Sequence, residues 1–225
     1  MTVEPLPASS PPEATESTRD RLLDAAEKLF AERGFLATSV RDITAAAECN
    51  VAAVNYHFGG KENLYHEMFR RRLATLREQR TAGLQRALEE AGGAASLELV
   101  LRSFTTAFLA PLSDRETGSR LLELISREML ERQLPPDFLL DEMIEPTAAA
   151  LAEALRNVAP QLPRDQARLC VQSVVGQLSH QAHLRRFLET VPANRVRRPS
   201  YSDLVDHVVR FSAAGIRAYL PEGKS

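Results

Sequence analysis

The residues best placed to do chemistry lie between Ser39 and Lys61, in SVRDITAAAECNVAAVNYHFGGK. The stretch reads as two short helices around a tight turn. Ser39 is suited to cap the first, with Val40, Ile43 and Ala47 inward. Glu48, Cys49 and Asn50 form the turn. Asn50 then caps the second helix, with Val51, Val54 and Phe58 inward and Ala52, Ala53, Asn55 and Tyr56 facing out. The chemistry this favours is recognition. In a helix-turn-helix the second helix enters a DNA major groove and offers its N-terminal residues to base edges. Here those residues are Val51, Ala52 and Ala53, small enough for close approach and for packing on thymine methyls. The Asn55 amide carries both the donor and the acceptor that adenine asks for, and Arg41 suits guanine or a phosphate. An ordinary helical hairpin has the same spacing, so the pattern alone leaves both open.

Other chemistries are poorly represented. No Walker loop, GxSxG or HExxH occurs, so no catalytic residue is assigned and the chain is not read as an enzyme. His180 and His183 lie three apart on a helix, but no nearby Cys or carboxylate completes a metal set, and no metal or cofactor is expected. The chain has 225 residues, 44% of them hydrophobic, and a formal net charge of −2. That balance does not suit a bulk electrostatic binder, so DNA affinity must rest on a few placed contacts. Two distant cysteines point to a reducing compartment. No apolar run approaches the ~20 residues that span a bilayer. A soluble, cytoplasmic protein without a membrane partner is expected.

Periodicity supplies the elements that must hold these residues. Residues 1–17, rich in Pro, Ser, Glu and Thr, read as a disordered tail. A first helix opens at Ser17 or Thr18, carries Leu22, Ala26, Leu29 and Phe30 on one stripe, and stops at Gly34. A longer helix after Lys61 bears Leu64, Tyr65, Met68, Phe69, Leu73 and Leu76. Its cluster Arg70, Arg71 and Arg72 is too far along the axis for direct DNA contact and suits long-range attraction. It breaks at Gly92-Gly93. Five more helices are expected: Ser96 to about Ala110, Gly118 to Leu130, Pro135 to Asn157, Pro163 to about Glu189, and Ser202 to about Tyr219. Pro146 must kink or divide the third of these. No stretch alternates as a strand does, so the fold class is all-α: a three-helix DNA-binding head and a larger helical body.

Two of these helices have apolar residues on two sides. One carries Val171, Val174 and Leu178 in a stripe and Leu169, Gly176, His180 and Phe187 elsewhere. The last carries Val205, Val209, Ile216 and Tyr219. Such helices need two partners. A homodimer interface at Val171, Val174, Gly176, Leu178, Val205, Val209 and Ile216 is the economical expectation, as a four-helix bundle; a pair buried within one subunit is the alternative.

The segments TRDRLLDAAEKLFAERGFLATSVRDI, from Thr18, and NVAAVNYHFGGKENLY resemble the N-terminal domain of the TetR/AcrR family of bacterial transcription regulators. The resemblance covers about the first third of the chain. It implies a helix-turn-helix domain over 18–64 and a ligand-binding and dimerisation domain over 65–220. It implies that Tyr56, His57 and Lys61 hold backbone phosphates, with Ser39 doing so through its hydroxyl. It also implies a cavity for a small, apolar or aromatic effector, for which Phe104, Phe108, Met129, Phe138, Met143, His180 and Phe187 are the candidates. The function implied is a ligand-responsive regulator, most often a repressor, that binds a pseudo-palindromic operator in double-stranded DNA as a homodimer. An all-helical interaction protein without DNA binding is the alternative. One departure from the family pattern matters. The family's turn has Gly where this chain has Glu48, and glutamate accepts a positive φ less readily.

Overall fold

The computed structural model describes residues 17–113, 115–192 and 194–221. Of the tail read over 1–17, all but Ser17 lies outside the described residues. The described chain is helical throughout: α1 (Thr18–Arg33), α2 (Val40–Ala46), α3 (Ala52–Phe58), α4 (Lys61–Glu90), α5 (Leu97–Leu109), α6 (Arg115–Glu131), α7 (Glu145–Val158), α8 (Arg164–Glu189) and α9 (Tyr201–Arg217). A 3-10 turn (Ala110–Ser113) follows α5, and a π turn (Leu140–Ile144) precedes α7.

The starts follow from local chemistry. Ser17 accepts from the Asp20 N–H, and Ser96 from that of Leu99. Ser39 with Asp42, and Ser200 with Asp203, form reciprocal capping boxes. The last helix therefore opens on Ser200 rather than Ser202: the carboxylate three residues on returns to the Ser200 N–H. In both boxes the hydrogen bonds to serine hold the aspartate carboxyl below its ordinary pKa. Pro146 sits in the first turn of α7, where its missing N–H costs nothing, and the π turn absorbs the break before it.

Two hydrophobic clusters organise the packing. The first joins α1, α2 and α3 to the first half of α4 and to α6. Leu22, Phe30, Ile43, Val54, Leu64, Met68, Leu73 and Leu124 are at its centre. It therefore runs past residue 64, because Leu64, Tyr65, Met68, Phe69, Leu73 and Leu76 all face into it. The second joins α5, α7, α8 and α9, with Leu84 of α4. The long α4 and α6 are shared: α6 lies against α1, while α4 meets α1, α3, α5 and α7. At 30 residues α4 runs roughly 45 Å.

Both helices do have apolar residues on two sides, but the stripes expected at the interface pack within one chain. Val171, Val174, Leu178, Val205, Val209 and Ile216 are all buried inside the single chain, where α8 and α9 complete the second cluster. They are already covered and present no surface to a second copy. Gly176 is exposed. The outward apolar groups are Leu169, Phe187, Phe211 and Tyr219, 53%, 64%, 63% and 51% exposed.

Candidate functional site

The α2–turn–α3 unit is held from beneath by Ile43, Ala47, Val54 and Phe58. Its turn is tight enough to force Glu48 to φ 51°, the left-handed conformation that glutamate tolerates poorly. The Cys49 thiol packs on the head core, as an apolar residue would. Asn50 Oδ1 accepts from the Ala52 N–H at 2.8 Å and starts α3. Val51, expected inward, is 46% exposed at the start of α3, although its backbone is already helical at φ −54° and ψ −33°.

What α3 leaves facing out is Ala52, Asn55, Tyr56 and His57, with Ala53 half-buried. Positions 52, 55 and 56 share one face of a helix. Tyr56 is 85% exposed, an unusual state for a large aromatic, and its ring meets His57 edge-on at 4.9 Å. Arg41 is exposed in the first turn of α2. Ser39 is exposed as well, but its hydroxyl donates to Asp42 Oδ2 at 2.5 Å and its oxygen accepts from the Asp42 N–H.

Gly59 ends α3 in the left-handed region at φ 76°, with its N–H on the Asn55 carbonyl. Lys61 then opens α4. Its ammonium lies 4.1 Å from the Phe35 ring centroid, and partial burial pulls its pKa down. Phe35, Gly59, Gly60, Lys61, Glu62 and Asn63 line an open notch at this helix start. Unpaired backbone N–H groups, the helix dipole and a lysine thus meet at one surface point.

The arginine cluster is engaged internally. Arg70 pairs with Glu67 and Glu142, Arg71 with Asp20 and Asp24, and Arg72 with Glu27. Apart from Arg70–Glu67, which lies within α4, these pairs fasten α4 to α1 and to the π turn. The guanidiniums are thereby largely neutralised, which weakens the long-range attraction expected of them.

A second set of contacts ties the head to α6. Arg127 donates to the carbonyls of Ala31 and Glu32, acceptors in the last turn of α1. Glu131 accepts from the Phe35 N–H. Glycine is favoured at Gly34 by its φ of 82°; a Cβ there would also come 2.6 Å from Glu131 Oε1 and push that carboxylate aside. Buried Glu128 accepts from the Tyr65 hydroxyl at 2.9 Å and from the Leu134 N–H at 2.8 Å. Burial, with that carboxylate beside it, drives the Tyr65 pKa up.

Behind α6 lies a cavity of about 380 Å³ walled by α4, α5, α6, α7, α8 and the π turn. Of the residues proposed from sequence, Phe108 and Met143 line it. The others do not. Phe104 is packed in the core of the body, Phe138 stacks against Arg70 and the head cluster, and Met129 and Phe187 are 65% and 64% exposed. His180 points to solvent, whereas His183 is at the wall. Arg80 also lines the cavity and was not singled out. Its signal was available: it follows Leu76 and precedes Leu84 by four, on the apolar stripe of α4. Glu128, four after Leu124 on α6, carries the same signal. No group of three His, Cys, Asp or Glu among the described residues could hold a metal. No helix there is long and apolar enough to cross a membrane.

Comparison with known proteins agrees with this geometry. Residues 22–68 match the model for bacterial regulatory proteins of the tetR family, and residues 102–215 that for the tetracyclin repressor-like C-terminal domain. The chain is 42% identical over 66 residues to the HTH-type transcriptional repressor KstR2 of Rhodococcus jostii, covering 27% of this chain and 32% of that protein. It is 42% identical over 52 residues to the "Probable HTH-type transcriptional regulator YttP" of Bacillus subtilis, covering 23% and 25%. The chain thus spans only a quarter to a third of the length of these relatives. The fold as a whole is similar to the TetR family transcriptional regulator PfmR of Thermus thermophilus, with a TM-score of 0.57 and 22% identity over 88% of this chain and 98% of that one. With the C-terminal model alone matching half of its length, and the head geometry above, the chain belongs to the TetR family of DNA-binding transcriptional regulators.

Proposed function

We propose that the protein is a homodimeric repressor that binds a pseudo-palindromic operator and is released by a small effector. The observation that carries this reading is the solvent-facing surface of α3, with Ala52, Asn55 and the bare Tyr56 ring, beside the Lys61 notch. In it Asn55 and Arg41 read bases. Tyr56, His57, Lys61 and Ser39 fix the register on phosphates, Ser39 only if Asp42 yields its hydrogen bond. Val51, Ala52 and Ala53 pack on the groove floor. The repressor name of a relative supports the sign of regulation.

Dimerisation is assigned to the outward sides of α8 and α9. Leu169, Ser173, Gln177, Phe211, Gly215 and Tyr219 border a shallow groove there. Release is assigned to the cavity, because two of its walls also hold the head. α4 runs from Arg80 to Lys61, and α6 carries Leu121, Leu122 and Ile125 on the cavity and Arg127, Glu128 and Glu131 on the head. An effector that favours one packing of these helices changes the head spacing, which must match half-sites roughly 34–36 Å apart or a multiple.

The test is titration of the DNA upstream of the protein's own gene at several salt concentrations. Lys61→Ala should weaken binding to all sequences and lower the salt slope by about one, as a lost phosphate contact does. Asn55→Ala should relax preference at one or two base pairs by about 1–3 kcal/mol. Absence of any specific complex would favour the interaction-protein reading, for which Glu48 in the turn speaks.

A further inference from the structure

Arg80 is 8% exposed, yet none of the described carboxylates pairs with it, and its Nε is buried without a hydrogen-bond partner. Its guanidinium instead lies 3.8 Å from the Phe108 ring centroid. Burial alone pushes its pKa down to about 10, so it remains a cation at neutral pH. Around it the cavity wall is mostly apolar, with Leu121, Ile125, Met143, Ile144 and Val175, while Gln172, Ser179 and His183 are its polar groups on α8. Thr147 adds a second buried polar atom, Oγ1, that also lacks a partner. An unpaired cation in such surroundings is costly, and stacking on phenylalanine recovers only part of the cost. Stacking by itself would be served as well by an uncharged side chain. What arginine adds is a planar fork of donors that fits a carboxylate with two hydrogen bonds.

From this geometry we infer that the effector is an amphipathic anion, a carboxylate or its equivalent, seated on Arg80 with an apolar body against Ile125, Met143 and Val175. The inference rests on the reading of this cavity as the effector site and narrows that effector to a charge class. It also states how the signal starts. The anion is held by α4 itself, roughly 28 Å along the same helix from Lys61. A neutral apolar molecule would fill the volume but leave the guanidinium further desolvated and still unpaired.

The test is calorimetric titration of the full chain at pH 7 with two acids and their neutral counterparts: octanoate against 1-octanol, and naphthalene-2-carboxylate against 2-naphthamide. At least one acid should bind roughly tenfold or more tightly than its counterpart, the value of a charge-assisted hydrogen bond. That preference should vanish in Arg80→Met, which keeps an unbranched apolar stem, and survive in part in Arg80→Lys. Thermal melting of both variants verifies that they are folded. Neutral compounds that bind as tightly as the acids would overturn the anion proposal and leave the effector cavity standing. Binding of neither class would overturn both. An acid preference that persists in folded Arg80→Met would place the charge recognition elsewhere and overturn the role of Arg80.

Discussion

Glu48 shows how a single residue can run against both its backbone and its surroundings. It occupies φ 51°, which costs a side-chain-bearing residue roughly 1–2 kcal/mol. It also places a negative charge in the turn ahead of α3. Glu48→Gly is expected to remove both penalties. Glycine gives part of the gain back through the entropy of the unfolded chain, leaving a net stabilisation of about 1 kcal/mol or less. DNA affinity should rise, most at low salt. Urea unfolding and fluorescence anisotropy measure the two effects separately, and a destabilised variant would mean that the Glu48 side chain makes a contact worth more than the strain. This departure was legible in the sequence through the family resemblance, which implies glycine at that place in the turn. Arg80 was harder to read. Its place on the apolar stripe was visible, but whether a carboxylate from another element would meet it depends on tertiary packing, and periodicity carries no information about that. The pocket residues went wrong for the same reason. Phe104 and Phe108 are one turn apart on α5, yet one fills the core and the other faces a void.

At the scale of elements, helix boundaries were the most legible feature, because caps and glycine stops act within a few residues. Ser39, Ser96, Gly34 and Pro163 all stand within a residue of a helix end. The π turn before Pro146 was foreseeable only as a break, since proline forbids a regular helix without choosing its replacement. Less visible still was the role of α6. Its Glu128 is buried with two donors, and one of them is the Tyr65 hydroxyl at the base of the head. Tyr65→Phe leaves that carboxylate with the Leu134 N–H alone. The expected cost is about 1–3 kcal/mol, the penalty of an under-satisfied buried acceptor. Urea unfolding should show a lower midpoint with an unchanged m-value, since the exposed surface is the same. A loss below ~0.5 kcal/mol would mean that water replaces the hydroxyl and that the Tyr65–Glu128 link is not a rigid one. In that case the head would hang on α6 mainly through the Arg127 contacts to the end of α1.

For the whole molecule, the homodimer proposed above turns on which faces of α8 and α9 are left open to a second copy. Sequence periodicity indicated that both helices need two partners, and the expectation gave the second copy the stripes that the chain in fact buries in its own core. The aliphatic stripe Val171, Val174 and Leu178 is the better hydrophobic face, and the chain spends it on its own core, where it meets α9 and α7. What remains outside is thinner and more aromatic: Leu169, Phe211 and Tyr219 around small Ser173 and Gly215. Aromatic anchors beside small residues suit an interface that two copies can close on. A charge at Val209 would therefore unfold the protomer rather than split a dimer, whereas Phe211→Glu leaves the protomer core intact. Phe211→Glu, alone or with Leu169→Glu, should melt within a few degrees of the parent and yet sediment as a monomer at micromolar concentration. Operator affinity should drop by on the order of 10²-fold or more, because each head then binds its half-site without the effective concentration supplied by its partner. A double variant that is folded and still dimeric would move the interface to another surface. Phe187, 64% exposed at the far end of α8, would be the next residue to charge.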